Sequence, residues 1–438
     1  MKNQIVSSRM KQLSPRRSAT VAALDVGSSK IACLIARLTP ERDAAPEDWR
    51  THRARVLGIG LQRARGVKNG LIVDMNEAES AIRQTVDAAE RMAGVQIDRV
   101  VVTASGGRLA SKHFTAKTAI GGREVAESDV HRVLEASAMH PTTRGRFVMH
   151  SLPIGYSLDG VAGVREPKNM VGEELGVDLH VATCDQAATR NLFLAVERGH
   201  LAVEAIAAAP YVAGLSVLEP DEAEMGVVVI DMGAGSTSLA VFSGGALVHV
   251  DAVMLGGNHV TMDIARGLNA RVSDAERLKT MHGAAIASPS DDRETVAYGH
   301  VGEGDHHPAQ VPKSHVVRII RPRVEETLEF LRDRLAQAGF GAGRGLRVVL
   351  TGGACQLTGA PEAARRVLGG QVRVGRPNGV DGLPPEAAFS PAFAAVAGLF
   401  VYPQVAGREY FEPRREQRLA NGSNGYMSRV GRWLTESF

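Results

Sequence analysis

Two distant stretches of this chain carry one pattern: an apolar run of strand length, then Asp-x-Gly with small or hydroxyl residues, then a second strand-like run. The first is TVAALDVGSSKIACLIARL (20–38) and the second GVVVIDMGAGSTSLAVFSGGALVHV (226–250). Apolar runs bounded by Gly and small polar residues read as strands, so each stretch predicts a hairpin. In the second, Gly244-Gly245 predicts the next tight turn. Helical periodicity fills other parts of the chain. Ile82, Val86, Ala89 and Met92 share one face of a helix predicted from Asn76 to Met92. AESDVHRVLEASAMH (126–140) predicts a helix with Ser128 as its cap and Pro141 just beyond it. SHVVRIIRPRVEETLEFLRDRLAQAG (314–339) predicts a long helix. SPAFAAVAGLFVYP (390–403) predicts a closing helix, with Ser390 capping, Pro391 in the first turn and Pro403 at the end.

The last stretch, GYMSRVGRWLTESF (425–438), is amphipathic. At about 100° per residue, Tyr426, Met427, Val430, Trp433, Leu434 and Phe438 fall within an arc of about 140°, opposite Arg429, Arg432 and Glu436. It follows QVAGREYFEPRREQRLANGSN (404–424), which has scattered charge and no periodicity and reads as a flexible spacer. A core-docking helix would share this pattern. The spacer and the terminal Trp favour a helix lying in a membrane interface, with its arginines near anionic lipid.

Composition narrows the setting. A chain of 438 residues can bury more than one core, which suggests about two to four domains. Lys and Arg outnumber Asp and Glu by only 51 to 48 and are spread along the chain, so no nucleic-acid footprint is visible. Cys33, Cys184 and Cys355 are odd in number and far apart, which fits a reducing compartment and neither a disulfide framework nor a zinc site. No apolar run reaches the roughly 18 residues of a spanning helix, and the basic opening lacks the apolar region of a signal peptide. Residues 1–18 read as a disordered basic arm.

The two hairpins suggest phosphate chemistry. A strand ending in Asp and turning on Gly and small hydroxyl residues presents backbone N–H groups to a phosphate. Asp25 and Asp231 are then placed to hold magnesium through water, since that ion keeps its hydration shell. Gly27, Ser28 and Ser29 in the first copy, and Gly233, Gly235, Ser236 and Thr237 in the second, would meet phosphate. No P-loop signature is present, and GAGST leads into Leu239–Phe242 as a strand rather than a helix, which excludes a dinucleotide-binding turn. One such hairpin could be a plain turn; a pair implies two related lobes around a nucleotide. RVVLTGGACQL (347–357) ends a strand at Gly352-Gly353, where a purine and ribose could approach, or where a helix simply begins. SDAERLKTMHG (273–283) puts Glu276 and Lys279 on one helix face, aimed at one ligand or at solvent.

The order of these motifs resembles the actin, sugar-kinase and heat-shock chaperone ATPase superfamily. Within it, GVKNGLIVDM, REVAESDVHRVLEA, HSLPIGYSLDGVAGVREPKNMVGEELGVDLHVAT, LGGNHVTMDIARGL and the amphipathic end resemble the FtsA family of bacterial cell-division proteins. The resemblance covers about residues 18–400 and the terminal helix. It implies an α/β, actin-like two-lobed ATPase fold with an inserted subdomain and a C-terminal amphipathic helix. The first lobe would take 19–97, 177–209 and 385–403, and the inserted subdomain 98–176. The second lobe would take 210–257 and 340–384, with a small subdomain at 258–339. Residues 404–424 would be the linker and 425–438 the membrane helix.

The resemblance also implies ATP with magnesium, bound by Lys30, both hairpins, Gly256, Gly257 and the Thr351-Gly352-Gly353 turn. It implies self-association into filaments, capture of the acidic FtsZ tail by Arg318, Arg321 and Arg323, and contact with later division proteins through the inserted subdomain. Met427, Val430, Trp433, Leu434 and Phe438 would anchor it to the cytoplasmic face of the inner membrane at the division site. No general base is evident, which favours a nucleotide switch over a kinase or phosphatase, or the related pilus-assembly ATPases. The stretch SPSDDRETVAYGHVGEGDHHPAQ (288–310) departs from the family pattern and reads as a loose loop, with His306-His307 solvated.

Overall fold

The structure, a computed structural model, describes residues 9–41, 49–139, 143–302, 308–341 and 345–411. The terminal amphipathic helix, with Met427, Val430, Trp433, Leu434 and Phe438, lies outside the described residues, as do His306 and His307. The chain divides into two compact units. The first comprises Met1–Lys112, Thr142–Ile154 and His180–Arg408; the second comprises His113–Pro141, Gly155–Leu179 and the residues from Glu409 on.

The first unit holds two mixed sheets. One has the order Ala202–Ala208, Arg99–Ala104, Ala19–Val26, Lys30–Pro40, His52–Arg63, Val380–Asp381. The other runs Ala246–Val253, Thr237–Ser243, Val227–Met232, Arg347–Thr351, Gln371–Val374. In each, a hairpin lies beside a parallel strand: Ala19–Val26 pairs with Lys30–Pro40 and Arg99–Ala104, and Val227–Met232 pairs with Thr237–Ser243 and Arg347–Thr351. Central strands buried on both faces need near-continuous apolar runs, which VAALDV and VVVIDM supply.

Between the sheets run helix Ala209–Val217, buried at every position, and helix Ala394–Gly398. A helix apolar all round can only sit inside a core. One hydrophobic cluster joins Ile35 and Val102 of the first sheet to Phe242 and Val349 of the second. The other face of the second sheet is covered by helices Gly257–Leu268, Lys313–Gln337 and Ala360–Leu368, whose cluster includes Ile264, Leu328 and Ala364.

The second unit contains much of the sheet ordered Ala110–Glu124, Val171–Asp185, Arg146–Leu158, Val161–Val164, with helix Glu127–Ala138 and a small core of Ile120, Val133, Leu158 and Leu175. Its fully buried Asp129 accepts from Arg123, Arg132 and the Ala126 N–H, and these bonds hold its carboxyl far below the usual carboxylate range.

Several expectations change. The helix expected over 76–92 runs Met75–Ala93, but Met92 is 60% exposed rather than on its buried face. Asp129 reaches back to the Ala126 N–H of the helix predicted to be capped by Ser128. The closing helix is broken: Ser390 accepts from the Ala392 N–H of a 3-10 turn, Ala394–Gly398 follows, and Pro403 lies inside a later helix, Tyr402–Val405. Residues 9–18 are not a loose arm. The Leu13 N–H donates to Pro403, His52 bonds the Arg17 carbonyl, and Met10 and Leu13 pack on the core. Within 288–310, Thr295–Tyr298 pairs as a strand with Ala309–Pro312. The inserted subdomain cannot begin at 98, because Arg99–Ala104 lies inside the six-stranded sheet.

The helix pair between the sheets depends on one backbone approach. A Cβ on Gly398 would fall 1.7 Å from the Val212 carbonyl oxygen. Gly398→Ala should therefore cost about 1–3 kcal/mol or more and lower the melting temperature by several degrees; thermal denaturation with unchanged melting would show that the contact is not needed.

Candidate functional site

The two hairpins build one cavity within the first unit from equivalent parts. Four residues, Gly27–Lys30, separate the paired Val26 and Ile31, and four, Gly233–Ser236, separate Met232 and Thr237. The Gly27 N–H donates to the Lys30 carbonyl at 3.1 Å, and the Gly233 N–H to the Ser236 carbonyl at 3.0 Å. A Cβ on Gly27 would lie 2.9 Å from that carbonyl oxygen, and one on Gly233 2.8 Å from its own. Only glycine permits a turn this tight.

Asp25, Gly27, Ser28, Ser29, Lys30, Asp231, Gly233, Gly235, Ser236, Gly257, Glu276, Lys279, Gly352 and Gly353 line a single cavity of about 270 Å³. A neighbouring, more apolar chamber of about 300 Å³ includes Met232, Val260, Val324 and Leu357, and shares Gly257, Lys279 and Gly353 with the first. Gly256 and Thr237 border only this second chamber, and the Thr237 hydroxyl donates to the Leu255 carbonyl at 2.8 Å. Thr237 is thus not beside the other proposed phosphate groups. Gly352 has φ 85°, and a Cβ there would fall 2.3 Å from Asp231 Oδ1. On helix Val272–His282, Lys279 bonds Glu276 at 2.7 Å, Thr261 at 2.9 Å and the Gly257 carbonyl at 3.2 Å, so the pair holds itself in place.

Charge in this cavity is out of balance. Burial raises the Asp231 carboxyl to about 7, with the nearby Asp25 adding to the rise and Lys30 opposing it. Burial raises Asp25 too, against a hydrogen bond from the Thr103 hydroxyl and the field of Lys30. Burial lowers Lys30 to about 8, opposed by both aspartates. The Lys30 ammonium donates to the Ala392 carbonyl at 2.7 Å and lies 3.5 Å from the Phe393 ring centre. Glycine backbone, serine hydroxyls and an ammonium suit a polyanion; two desolvated carboxylates suit a divalent cation. Among the described residues, no group of three or more His, Cys, Asp or Glu converges as a cage.

Sequence reasoning missed three contributors. Thr103 tops the strand beside Asp25; the likeness of RVVVTASGG (99–107) to RVVLTGGAC (347–355) is the signal that could have found it. The Ser105 carbonyl accepts from Ser236 at 3.2 Å. The Gly70 N–H donates to Ser28 Oγ at 2.7 Å. Arg318, Arg321 and Arg323 lie apart from this cavity's lining, on helix Lys313–Gln337. Arg323 is paired with Asp263 and Glu326, and Arg321 with Glu325, while Arg318 is exposed and has no ion-pair partner among the described residues.

Comparisons with known proteins bear on this arrangement. The family model "Cell division protein FtsA" matches residues 228–398, and "SHS2 domain inserted in FTSA" matches 106–183. The cell division protein FtsA of Agrobacterium fabrum is 50% identical over 438 residues, covering 98% of this chain and 97% of the relative. That of Escherichia coli K12 is 30% identical over 428 residues, covering 95% and 98%. Among solved structures, a PilM-PilN type IV pilus biogenesis complex aligns with a TM-score of 0.60 at 17% identity, covering 88% of this chain and 99% of that one. MreB 5 of Spiroplasma citri bound to AMPPNP aligns at 0.51 and 13%, covering 92% and 98%. At such identities these structures speak for the fold alone, which is actin-like.

The raised Asp231 carboxyl gives a pH test. In the fold Asp231 keeps its proton up to about 7, against an ordinary value of 3.8. The native state therefore loses stability as pH rises through that window, by on the order of 4 kcal/mol at most. Without metal or nucleotide, Asp231→Asn should melt above the parent at pH 8, with the gap narrowing towards pH 5; a gap independent of pH would contradict the shift.

Proposed function

The chain belongs to the FtsA family of actin-like cell-division proteins, and from that premise we propose that it is an ATP-binding switch that polymerises on a membrane, tethers FtsZ there and helps recruit later division proteins. The observation that carries the nucleotide reading is the meeting of Asp25 and Asp231, from two equivalent hairpins, in one glycine-lined cavity. Magnesium, when bound, would supply the positive charge that the two carboxylates lack. Asp25 and Asp231 would hold its waters, and Ser28, Ser29, Lys30 and Ser236 would bind phosphate. Lys279 and Gly353 line both the polar cavity and the apolar chamber, and Glu276 lines the polar cavity bonded to Lys279, which suits ribose and purine. Ligand contacts to both sheets favour one cleft geometry over others, and a switch requires no more than that difference in affinity. Head-to-tail repetition of one interface then gives filaments.

Arg318 is the most available charge for the acidic FtsZ tail. Forked guanidinium bonds suit carboxylates, but Arg323 would first have to exchange Asp263 and Glu326. For membrane attachment, residues 425–438 carry the reading. Among the described residues no helix is long and apolar enough to cross a membrane. A single amphipathic segment binds marginally, and a filament presents many at once. The pilus-assembly and sugar-kinase readings have no support beyond the fold, whereas relatives at 30–50% identity are division proteins.

Three measurements test this function. Asp231→Ala should weaken binding of a fluorescent ATP analogue with magnesium at least tenfold, about 1.4 kcal/mol; unchanged affinity would remove the cleft assignment. Arg318→Glu should weaken binding of an FtsZ tail peptide about tenfold, and unaltered binding would put docking elsewhere. Deletion of 425–438 should abolish sedimentation with anionic vesicles while nucleotide and FtsZ binding persist, so continued pelleting would exclude the anchor.

A further inference from the structure

The residues before the first strand form a strap whose pattern sorts apolar side chains from basic ones. Met10 and Leu13 pack on the core, whereas Arg9, Lys11, Arg16 and Arg17 are exposed. Residues 1–18 contain five Lys or Arg and no Asp or Glu, so nothing within the strap answers this charge. Hydrogen bonds fix it in place. The Leu13 N–H donates to the Pro403 carbonyl at 2.9 Å, the Arg17 N–H closes a turn on the Ser14 carbonyl at 3.1 Å, and His52 Nε2 donates to the Arg17 carbonyl at 3.1 Å. Gln12 lies against Gly407, where a Cβ would fall 2.2 Å from its Oε1. The strap therefore rests on helix Tyr402–Val405 and the turn ending at Arg408, from which the chain continues towards the amphipathic segment 425–438.

This is the end of the six-stranded sheet remote from the cavity. Ala19 opens the strand that carries Asp25, and the rise of a strand separates the two by about 20 Å. More positive charge gathers at the same end. Arg37 stands opposite Thr20 on one neighbouring strand and Arg55 on the other, and both arginines are exposed. Like charges directly opposite each other across strands are destabilising. Asp381 is in register with Arg55 but is taken by Arg53, on which Glu41 also acts. Among the described residues, Lys11, Arg16, Arg17, Arg37, Arg55 and Arg408 form no ion pair.

We propose that the strap, with Arg37 and Arg55, is a second contact with the membrane, one that binds the headgroups of anionic lipid. This rests on the membrane reading of 425–438 and goes beyond it by assigning part of the attachment to folded residues of the first unit. Continuity with that segment selects a lipid surface over other polyanions. Residues 409–424 join Arg408 to it, a tether of at most about 55 Å, so helix and strap can meet one surface. Attraction to an anionic leaflet fades within about 10 Å. The strap alone therefore does not hold the protein, and it acts once the helix has brought it near. There it binds without the ordering cost of a loose arm, because its backbone is already fixed. The contact also leaves the cavity, at the other end of the strand, clear of the bilayer.

The test measures co-sedimentation of the full chain with vesicles of phosphatidylcholine, alone or mixed with phosphatidylglycerol, at low and at high salt. Lys11→Gln, Arg16→Gln and Arg17→Gln together should lower affinity for the mixed vesicles at least tenfold at low salt, since each charge near an anionic leaflet contributes a factor of about five. High salt should close the gap, and affinity for neutral vesicles should stay within about twofold of the parent. Lys11→Arg with Arg16→Lys and Arg17→Lys should bind like the parent. If the neutralised triple variant melts early, Arg37→Gln with Arg55→Gln carries the test. That pair should melt no lower than the parent, having lost a like-charge contact, yet bind mixed vesicles several-fold more weakly. Unchanged affinity for mixed vesicles, or an equal loss on neutral ones, would overturn the strap contact and leave the terminal anchor standing. Loss of FtsZ tail peptide binding with vesicle binding intact would make the patch a peptide site and overturn it too. If the parent sediments with neither vesicle, this contact and the membrane reading both fail.

Discussion

Two carboxylates buried in one cavity, with Lys30 as the ammonium that acts on both, are the constraint around which the first unit is organised. Burial without full neutralisation is costly, and here it is visible as acids pushed up and a base pushed down. Thr103 relieves Asp25 with a hydrogen bond, but Asp231 receives no such relief from its own strand neighbour. The Thr351 hydroxyl turns instead to the Gly375 and Pro391 carbonyls. On the second hairpin burial is thus left without a relieving hydrogen bond, and the nearby Asp25 adds to the rise of Asp231.

Such a cavity exists because main chain, rather than side chain, forms its walls. Gly27 and Gly233 close equivalent turns, Gly352 clears Asp231, and a Cβ on Gly256 would lie 2.6 Å from the Gly233 carbonyl oxygen. Each glycine avoids a clash between a Cβ and neighbouring main chain or carboxylate, so the turns and strands can approach this closely. The buried helix Ala209–Val217 then holds the two sheets at a fixed separation, since its residues pack on Val102 and Phe242 alike.

Local pattern was legible in the sequence, and distant contact was not. The hairpins, the Gly244-Gly245 turn and the helices at Met75–Ala93 and Lys313–Gln337 follow from periodicity and punctuation within a few residues. The cavity's Asp, Gly and Ser residues were legible because they recur in two copies. Met92 was misplaced because a helical face says nothing about where its partner ends. The closing helix ends at Gly398, and the contact of that glycine with the distant Val212 carbonyl was invisible in the local pattern. Arg323 was expected among the residues for the FtsZ tail, and its pairing with Asp263, from another helix, was not legible locally.

The segment Pro391–Phe393 ties the site to the helices that follow it. Its Pro391 carbonyl accepts from the Gly352 N–H and the Thr351 hydroxyl of the second sheet, and its Ala392 carbonyl accepts from Lys30 of the first. Any group that draws Lys30 towards bound phosphate takes a donor from Ala392 and uncovers the Phe393 ring. Helix Ala394–Gly398 follows directly, pressed on Ala209–Val217, and leads to Tyr402–Val405, where Leu13 bonds Pro403. Packed backbone, rather than a loose connection, thus joins Lys30 to Tyr402–Val405. At Gly398 the two helices meet main chain to main chain, with no room for a Cβ between them.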